Sequence, residues 1–191
     1  MKIGILALQG DVAEHAQMIR ICGSEPVLVK HVSDLDGLAG IIIPGGESTT
    51  LGDLIGVYGF DEAIRKKHEN GMGIFGTCAG MILLARKLNN GTNNQPRLGL
   101  LDVKVSRNAF GRQKESFECE LPILPLDIPA FPAVFIRAPL VESVGPGVEI
   151  LASLNGQPVL VRSERILAGA FHPELTGDTR VHRYFIDRVC G

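Results

Sequence analysis

The sequence predicts an α/β fold, an open, mixed and mainly parallel sheet flanked by helices, and three observations carry that prediction. Apolar runs such as Gly40-Ile41-Ile42-Ile43 are short, β-branched and unbroken by polar residues, as strands buried on both faces must be. Amphipathic stretches of helical length separate these runs in the first half of the chain. Glycine-rich punctuation follows several of the runs, where a strand hands over to a helix.

Taken in order, Lys2 to Leu8 is the first buried strand, and the turn Gln9-Gly10-Asp11 ends it. Asp11 is placed to cap a helix from Val12 to Cys22, with Glu14 where a capping box wants it, and Gly23 stops it. Val27 to Lys30 and Gly40 to Ile43 are the second and third strands. Pro44-Gly45-Gly46-Glu47-Ser48-Thr49-Thr50 leads into helical stretches at Leu51 to Val57 and Asp61 to Asn70. A strand beginning at Gly73 then meets Gly76-Thr77-Cys78-Ala79-Gly80, and a helix is expected over Met81 to Leu88. Asn89 to Pro96 is a polar, turn-rich loop to which no chemistry is assigned.

Beyond that loop the rhythm changes. Leu101 to Arg107, Glu115 to Leu121, Ala133 to Arg137, Val148 to Leu154, Pro158 to Arg162 and Ile166 to Phe171 read as strands with few helices between them. They are expected to add antiparallel strands to the parallel core, with Pro122 to Pro132 as an irregular connection. Asp178 is placed to cap a last helix whose apolar stripe is Val181, Phe185 and Val189.

A length of 191 residues suits one domain spanning 1–191. The net charge of −2 and pI near 6.2 offer no basic footprint for nucleic acid or for an acidic membrane surface. The N-terminal apolar run is too short for a membrane span. Cys22, Cys78, Cys119 and Cys190 are scattered without a Cys-x-x-Cys pair, which points to neither a zinc site nor a disulfide framework. Reduced thiols in a cytoplasm are the simpler account.

Gly-x-Cys-x-Gly between a strand and a helix is the nucleophile-elbow pattern with cysteine as nucleophile. Its glycines permit a cramped turn that presents the Cys78 thiol, and the helix's positive end favours thiolate. The Ala79 N–H faces an oxyanion forming there. In an open α/β sheet, functional loops gather at the carboxyl ends of the strands. Three such loops are Pro44-Gly45-Gly46, Cys78 and His172-Pro173-Glu174, so a cysteine, a histidine and a carboxylate can converge. Glu174 then holds one nitrogen of His172 while the other faces Cys78. A lone His-Pro-Glu is more commonly a plain strand exit, and it gains meaning from the elbow. His15 and His182 fall on helices without such company and are expected at a surface or an interface; His31 and His68 also lack it.

Pro-Gly-Gly, Gly-x-Cys-x-Gly and His-Pro-Glu, in this order, resemble the class I glutamine amidotransferases, whose fold is flavodoxin-like. Leu8 to Asp11, Pro44 to Thr50, Arg107 to Gln113, Phe135 to Pro139 and Phe171 to Thr176 narrow the likeness to the glutaminase subunits of two-component pyridoxal 5′-phosphate synthases. The resemblance implies hydrolysis of L-glutamine by a Cys78, His172 and Glu174 triad through a thioester. It implies oxyanion donors near Gly46 and Ala79, and a glutamine site formed by Gly46, Glu47, Ser48, Arg107, Ile136 and Arg137. Arg107 is equally open to a structural ion pair, and Arg112 is left unassigned. The partner it implies is a (β/α)₈-barrel synthase that consumes the ammonia; no metal or organic cofactor is required. Residues near Gln9, Gly10 and the Pro44-Gly45-Gly46 turn are candidates to sense docking through a peptide flip. Another cysteine hydrolase, or a noncatalytic regulatory module on the same fold, are the rival readings.

Overall fold

In the computed structural model, which describes residues 1–89, 96–107 and 116–191, the apolar runs predicted as parallel strands lie side by side. In chain order the elements are β1 (Lys2–Leu6), α1 (Val12–Ile21), β2 (Glu25–Val29), β3 (Gly40–Ile43), α2 (Ser48–Val57), α3 (Phe60–Glu69), β4 (Gly73–Thr77) and α4 (Ala79–Leu84). The second half adds β5 (Ala85–Asn89), β6 (Leu101–Ser106), β7 (Ser116–Ile123), β8 (Ile128–Ile136), β9 (Leu140–Val144), β10 (Glu149–Leu154), β11 (Gln157–Ser163), β12 (Ile166–Gly169) and α5 (Arg180–Tyr184). A π-helical turn, Phe185–Val189, continues α5.

The main sheet has seven strands in the order β10-β11-β12-β4-β3-β1-β2. The five from β12 to β2 run parallel, and β10 and β11 are antiparallel to their neighbours. Ile41, Ile42 and Ile43 are 0% exposed, so every side chain of that strand is sealed between layers. Burying each contributes about 1.5–3 kcal/mol, which is why so short a run holds the sheet centre. Because β3, β4 and β12 are parallel neighbours, their carboxyl ends open on one side and deliver the three expected loops to one place.

Several expectations need correction. The helix over Met81 to Leu88 stops at Leu84, and Ala85–Asn89 turns into β5, paired in parallel with β6. Good helix formers in that stretch yield to a strand partner. The second half does not simply extend the parallel core: β5, β6 and β9 form one small sheet, and β7 with β8 a separate antiparallel ribbon. Pro122 to Pro132 is mostly strand, joined by a short 3₁₀ turn at Leu124–Leu126. Asp11 gives α1 no side-chain cap. Thr179, not Asp178, stands at the N-cap of α5, and Asp178, one residue earlier, accepts from the Arg180 N–H at 2.9 Å. Asn90 to Gln95 of the polar loop and Asn108 to Glu115, which hold Arg112 and most of the Arg107 to Gln113 motif, lie outside the described residues. Among the described residues, no helix is long and apolar enough to cross a membrane.

Candidate active site

Cys78 sits between β4 and α4 with φ 49° and ψ −103°, a backbone conformation that costs about 1–3 kcal/mol and survives only when its surroundings enforce it. The flanking glycines are part of that enforcement. A Cβ on Gly80 would stand 2.1 Å from the Ile43 carbonyl oxygen, and one on Gly76 would stand 2.7 Å from the Gly80 carbonyl carbon. The Gly-x-Cys-x-Gly spacing therefore lets a helix start directly against its own strand. The Cys78 amide is tied to the Gly169 carbonyl at 2.8 Å, which locks the elbow to β12. Its thiol lies 3.8 Å from the Ile136 carbonyl at the end of β8.

His172 follows β12, and its own amide donates to the Val134 carbonyl at 2.8 Å. Its Nδ1 is 2.8 Å from Glu174 Oε1 and 3.2 Å from Asp11 Oδ2. Burial alone would lower the affinity of this imidazole for a proton. The hydrogen bond with Cys78, the bond with Glu174 and the negative charges of both overcome that and raise it to about 10. Burial pushes the Glu174 carboxyl up, opposed chiefly by the bond from His172. Asp11, His172 and Glu174 bring three potential ligand atoms within 4.8 Å, yet both carboxylates address the same nitrogen, an arrangement suited to one shared proton.

Cys78 and His172 open on a cavity of about 270 Å³. Gly46, Ala79, Glu47, Ser48, Arg107, Ile136 and Arg137 line it too, so the structure gathers every residue expected at the site except Glu174 at its wall. Glu174 lies behind His172, 4% exposed. Glu47 accepts hydrogen bonds from the Thr49 and Thr50 amides, which cap α2 and hold its carboxyl at about 2. Arg107 reaches across to Glu47 Oε1 at 3.1 Å and to Thr49 Oγ1 at 3.1 Å. Both an acidic and a guanidinium group thus stand at one wall. Gly45 has no room for a side chain: a Cβ there would meet His172 Cε1 at 2.5 Å. Gln9 Nε2 donates to the Glu47 carbonyl at 2.7 Å and ties the first turn to the glycine turn.

Three polar residues at this site escaped the sequence reading. Asp11, read as a helix cap, has its carboxylate against His172. His15 and His182, expected at a surface or an interface, are both 0% exposed in the core and stand 3.0 Å apart, Nδ1 to Nε2. His15 Nε2 also lies 3.2 Å from Thr77 Oγ1 and 3.5 Å from Glu174 Oε2. The detectable signal for His15 is its helical spacing, on one face with Ala16 and Ile19.

Comparison with known proteins follows the same lines. The sequence model of the SNO glutamine amidotransferase family matches residues 5–191. The pyridoxal 5′-phosphate synthase subunit PdxT of Niallia circulans is 53% identical over 189 residues, 99% of this chain and 98% of that protein. The Thermus thermophilus protein of the same name is also 53% identical, over 97% of this chain and 96% of its own. A crystal structure described as a glutamine amidotransferase superposes with a TM-score of 0.94 at 50% identity, covering 99% of this chain and 98% of that one. A structure of PurLQS from Thermotoga maritima, at 18% identity and a TM-score of 0.67 over 97% of both chains, shares the fold.

Proposed function

The chain belongs to the SNO glutamine amidotransferase family, and from that premise we propose that it hydrolyses L-glutamine to L-glutamate and ammonia for a partner synthase that makes pyridoxal 5′-phosphate. The observation that carries the mechanism is the approach of His172 to an elbow cysteine at one cavity. Cys78 Sγ attacks the side-chain amide carbon of glutamine, and His172 holds the proton the thiol gives up. The oxyanion of the tetrahedral intermediate is met by the N–H groups of Ala79 and Gly46. His172 then delivers its proton to the departing nitrogen, the C–N bond breaks, and ammonia leaves a thioester on Cys78. Water, deprotonated by the now neutral His172, cleaves the thioester to glutamate and restores the thiol.

Glu174 orients His172 and stabilises its cation. Gly46, Glu47, Ser48 and Ile136 shape the glutamine site, while Arg107 and Arg137 supply guanidinium groups for the α-carboxylate. Glu47, held ionised by its α2 caps, suits the α-ammonium. Ammonia that escapes into water becomes ammonium and stops being a nucleophile, so the product is passed to a (β/α)₈-barrel synthase subunit. The link from Gln9 to the Glu47 carbonyl gives that docking a route to the Gly45-Gly46 peptide. The reaction belongs in a reducing cytoplasm, in keeping with four free cysteines.

Ammonia release from glutamine, measured with and without the barrel subunit, tests the reading. Turnover is expected to rise on complex formation; Cys78→Ala should abolish it, by about 10³-fold or more, while still forming the complex. Cys78→Ala turnover within tenfold of the parent would exclude the thioester route, and equal rates with and without the synthase would exclude the docking link.

A further inference from the structure

Behind Glu174 lies a file of buried polar groups that the reaction above does not use. His182 Nε2 meets His15 Nδ1 at 3.0 Å, and His15 Nε2 faces Thr77 Oγ1 at 3.2 Å and Glu174 Oε2 at 3.5 Å. Glu174 then meets His172 through its other oxygen at 2.8 Å. Two atoms in this file are buried without a hydrogen-bond partner, Glu174 Oε2 and His182 Nδ1. They stand at the two ends of the histidine pair.

Elementary accounting of donors fixes how the pair must be protonated. Burial holds both imidazoles neutral, His182 with its affinity lowered to about 3 and His15 well below the ordinary histidine value. A neutral imidazole has one N–H and one lone pair. If His182 donates from Nε2, His15 must accept at Nδ1 and carry its hydrogen on Nε2. That hydrogen is donated to Thr77 Oγ1 at 3.2 Å from a nitrogen that stands 3.5 Å from the unpartnered Glu174 oxygen, and the atom left over is a bare lone pair on His182 Nδ1. The opposite arrangement aims a lone pair of His15 at a carboxylate and strands an N–H of His182 in the core. Orphaned buried N–H groups are the rarer and costlier of the two, so the file runs one way.

We propose that His15 and His182 are positioning residues for the glutaminase, a one-way donor file that sets a positive N–H dipole beside the far oxygen of Glu174 and so keeps the near one on His172. This inference rests on the glutaminase reading. His15 is well placed for it, since it touches both Glu174 and Thr77, the residue just before the nucleophile, from a helix that starts beside Asp11. Glu174 lies on a 3₁₀ turn of three residues, and that short backbone leaves the carboxylate's aim to its partners. The groups facing the file are Asp11, His172 and Glu174 on one side and Thr77 on the other.

Two measurements on the full complex with the barrel subunit decide the matter. Nitrogen-15 NMR of histidine-labelled, unsubstituted protein reads the tautomers directly; neutral rings with hydrogen on Nε2 are expected for His15 and His182 from pH 6 to 8. Hydrogen on His15 Nδ1, or a cationic His15, would overturn the proposal whatever the variants do. In parallel, His15→Leu removes the donor at similar bulk, and His15→Gln restores an N–H near the Nε2 position. His15→Leu should lower kcat at least tenfold with KM within about twofold, and His15→Gln should recover most of the loss. A His15→Leu enzyme within twofold of the parent, or His15→Gln no better than His15→Leu, would equally overturn it. Absence of ammonia release by the unsubstituted complex would instead strike the glutaminase reading, with the tautomers still legible.

Discussion

On the cavity side of Glu174 a histidine is held as a cation, and on the far side two histidines are held neutral. All three are buried, His172 to 5% exposure and His15 and His182 to 0%, so burial does not explain the difference. Taking an imidazolium out of water disfavours it in all three places. At His172 the penalty is outweighed first by the hydrogen bond with Cys78 and then by Glu174 at 2.8 Å. At His15 the same carboxylate is farther, at 3.5 Å, and His182 and then His172 add unfavourable charge to the burial penalty. One buried carboxylate supports one cation. The same residue type is thereby set to carry a proton in front and to lend a directed N–H behind.

The sharpest way to break this contrast is Glu174→Gln, which removes the anion that tells the two sides apart. The glutaminase kcat should fall by about 10²-fold or more, as when a triad carboxylate is lost elsewhere. Histidine NMR titration of the same variant should find the His172 affinity lowered from about 10, because its cation has lost a hydrogen-bonded counter-charge. An unchanged His172 titration would show that Cys78 and Asp11 hold the proton without Glu174, and the front of the site would need another explanation.

How much of this was legible beforehand depends on how local the signal was. Ile41 to Ile43 and the Gly-x-Cys-x-Gly elbow announce themselves, since an unbroken β-branched run and a glycine-flanked cysteine between strand and helix are determined by their immediate neighbours. The convergence of Cys78 and His172 was readable because parallel strands deliver their carboxyl-end loops to one edge. β5 was not readable, because Ala85 to Leu88 are compatible with a helix and only pairing with β6 makes them a strand. β9 was missed, its pattern Leu140-Val141-Glu142-Ser143-Val144 being too short to stand out without its partner. The buried histidines failed for the same reason at greater range. His15 and His182 are separated by 167 residues, and each looks like an ordinary helix polar residue until the other is beside it. Asp11 illustrates a competing rule: an aspartate before a helix ordinarily caps it, but here the side chain makes no cap and its carboxylate faces His172 instead.

A second test weighs the two sides by acid stability. His182 has an ordinary unfolded-state value near 6.5 and a folded value of about 3, and His15 is shifted the same way. Between these limits the unfolded chain takes up protons that the folded chain refuses, so stability falls as pH falls. Each such histidine costs up to about 1.4 kcal/mol per pH unit in that window. His172 works in the opposite sense: raised to about 10, it contributes fully below 6.5 and loses its contribution as pH climbs towards 10. Urea midpoints between pH 6.5 and 4 should therefore slope down with acid, and His182→Phe should flatten the slope. A slope unchanged by that substitution would mean that His182 is not held neutral.

The smallest expected effect separates the two carboxylates that share His172 Nδ1. Asp11 lies 3.2 Å from that nitrogen with its side chain 35% exposed, whereas Glu174 lies at 2.8 Å with its side chain 0% exposed. Solvent screening weakens a charge in the first position far more than in the second. Asp11→Asn keeps the size and still offers an oxygen, so it tests charge and little else. The substitution should lower kcat by about two- to fivefold and lower the His172 affinity by less than Glu174→Gln does, measured by the same titration. Because Asp11 makes no side-chain cap to α1, its thermal unfolding should change little. An Asp11→Asn loss as large as that of Glu174→Gln would mean that the proton on His172 is held from the exposed side, and the contrast across Glu174 would have to be redrawn with Asp11 as the principal partner.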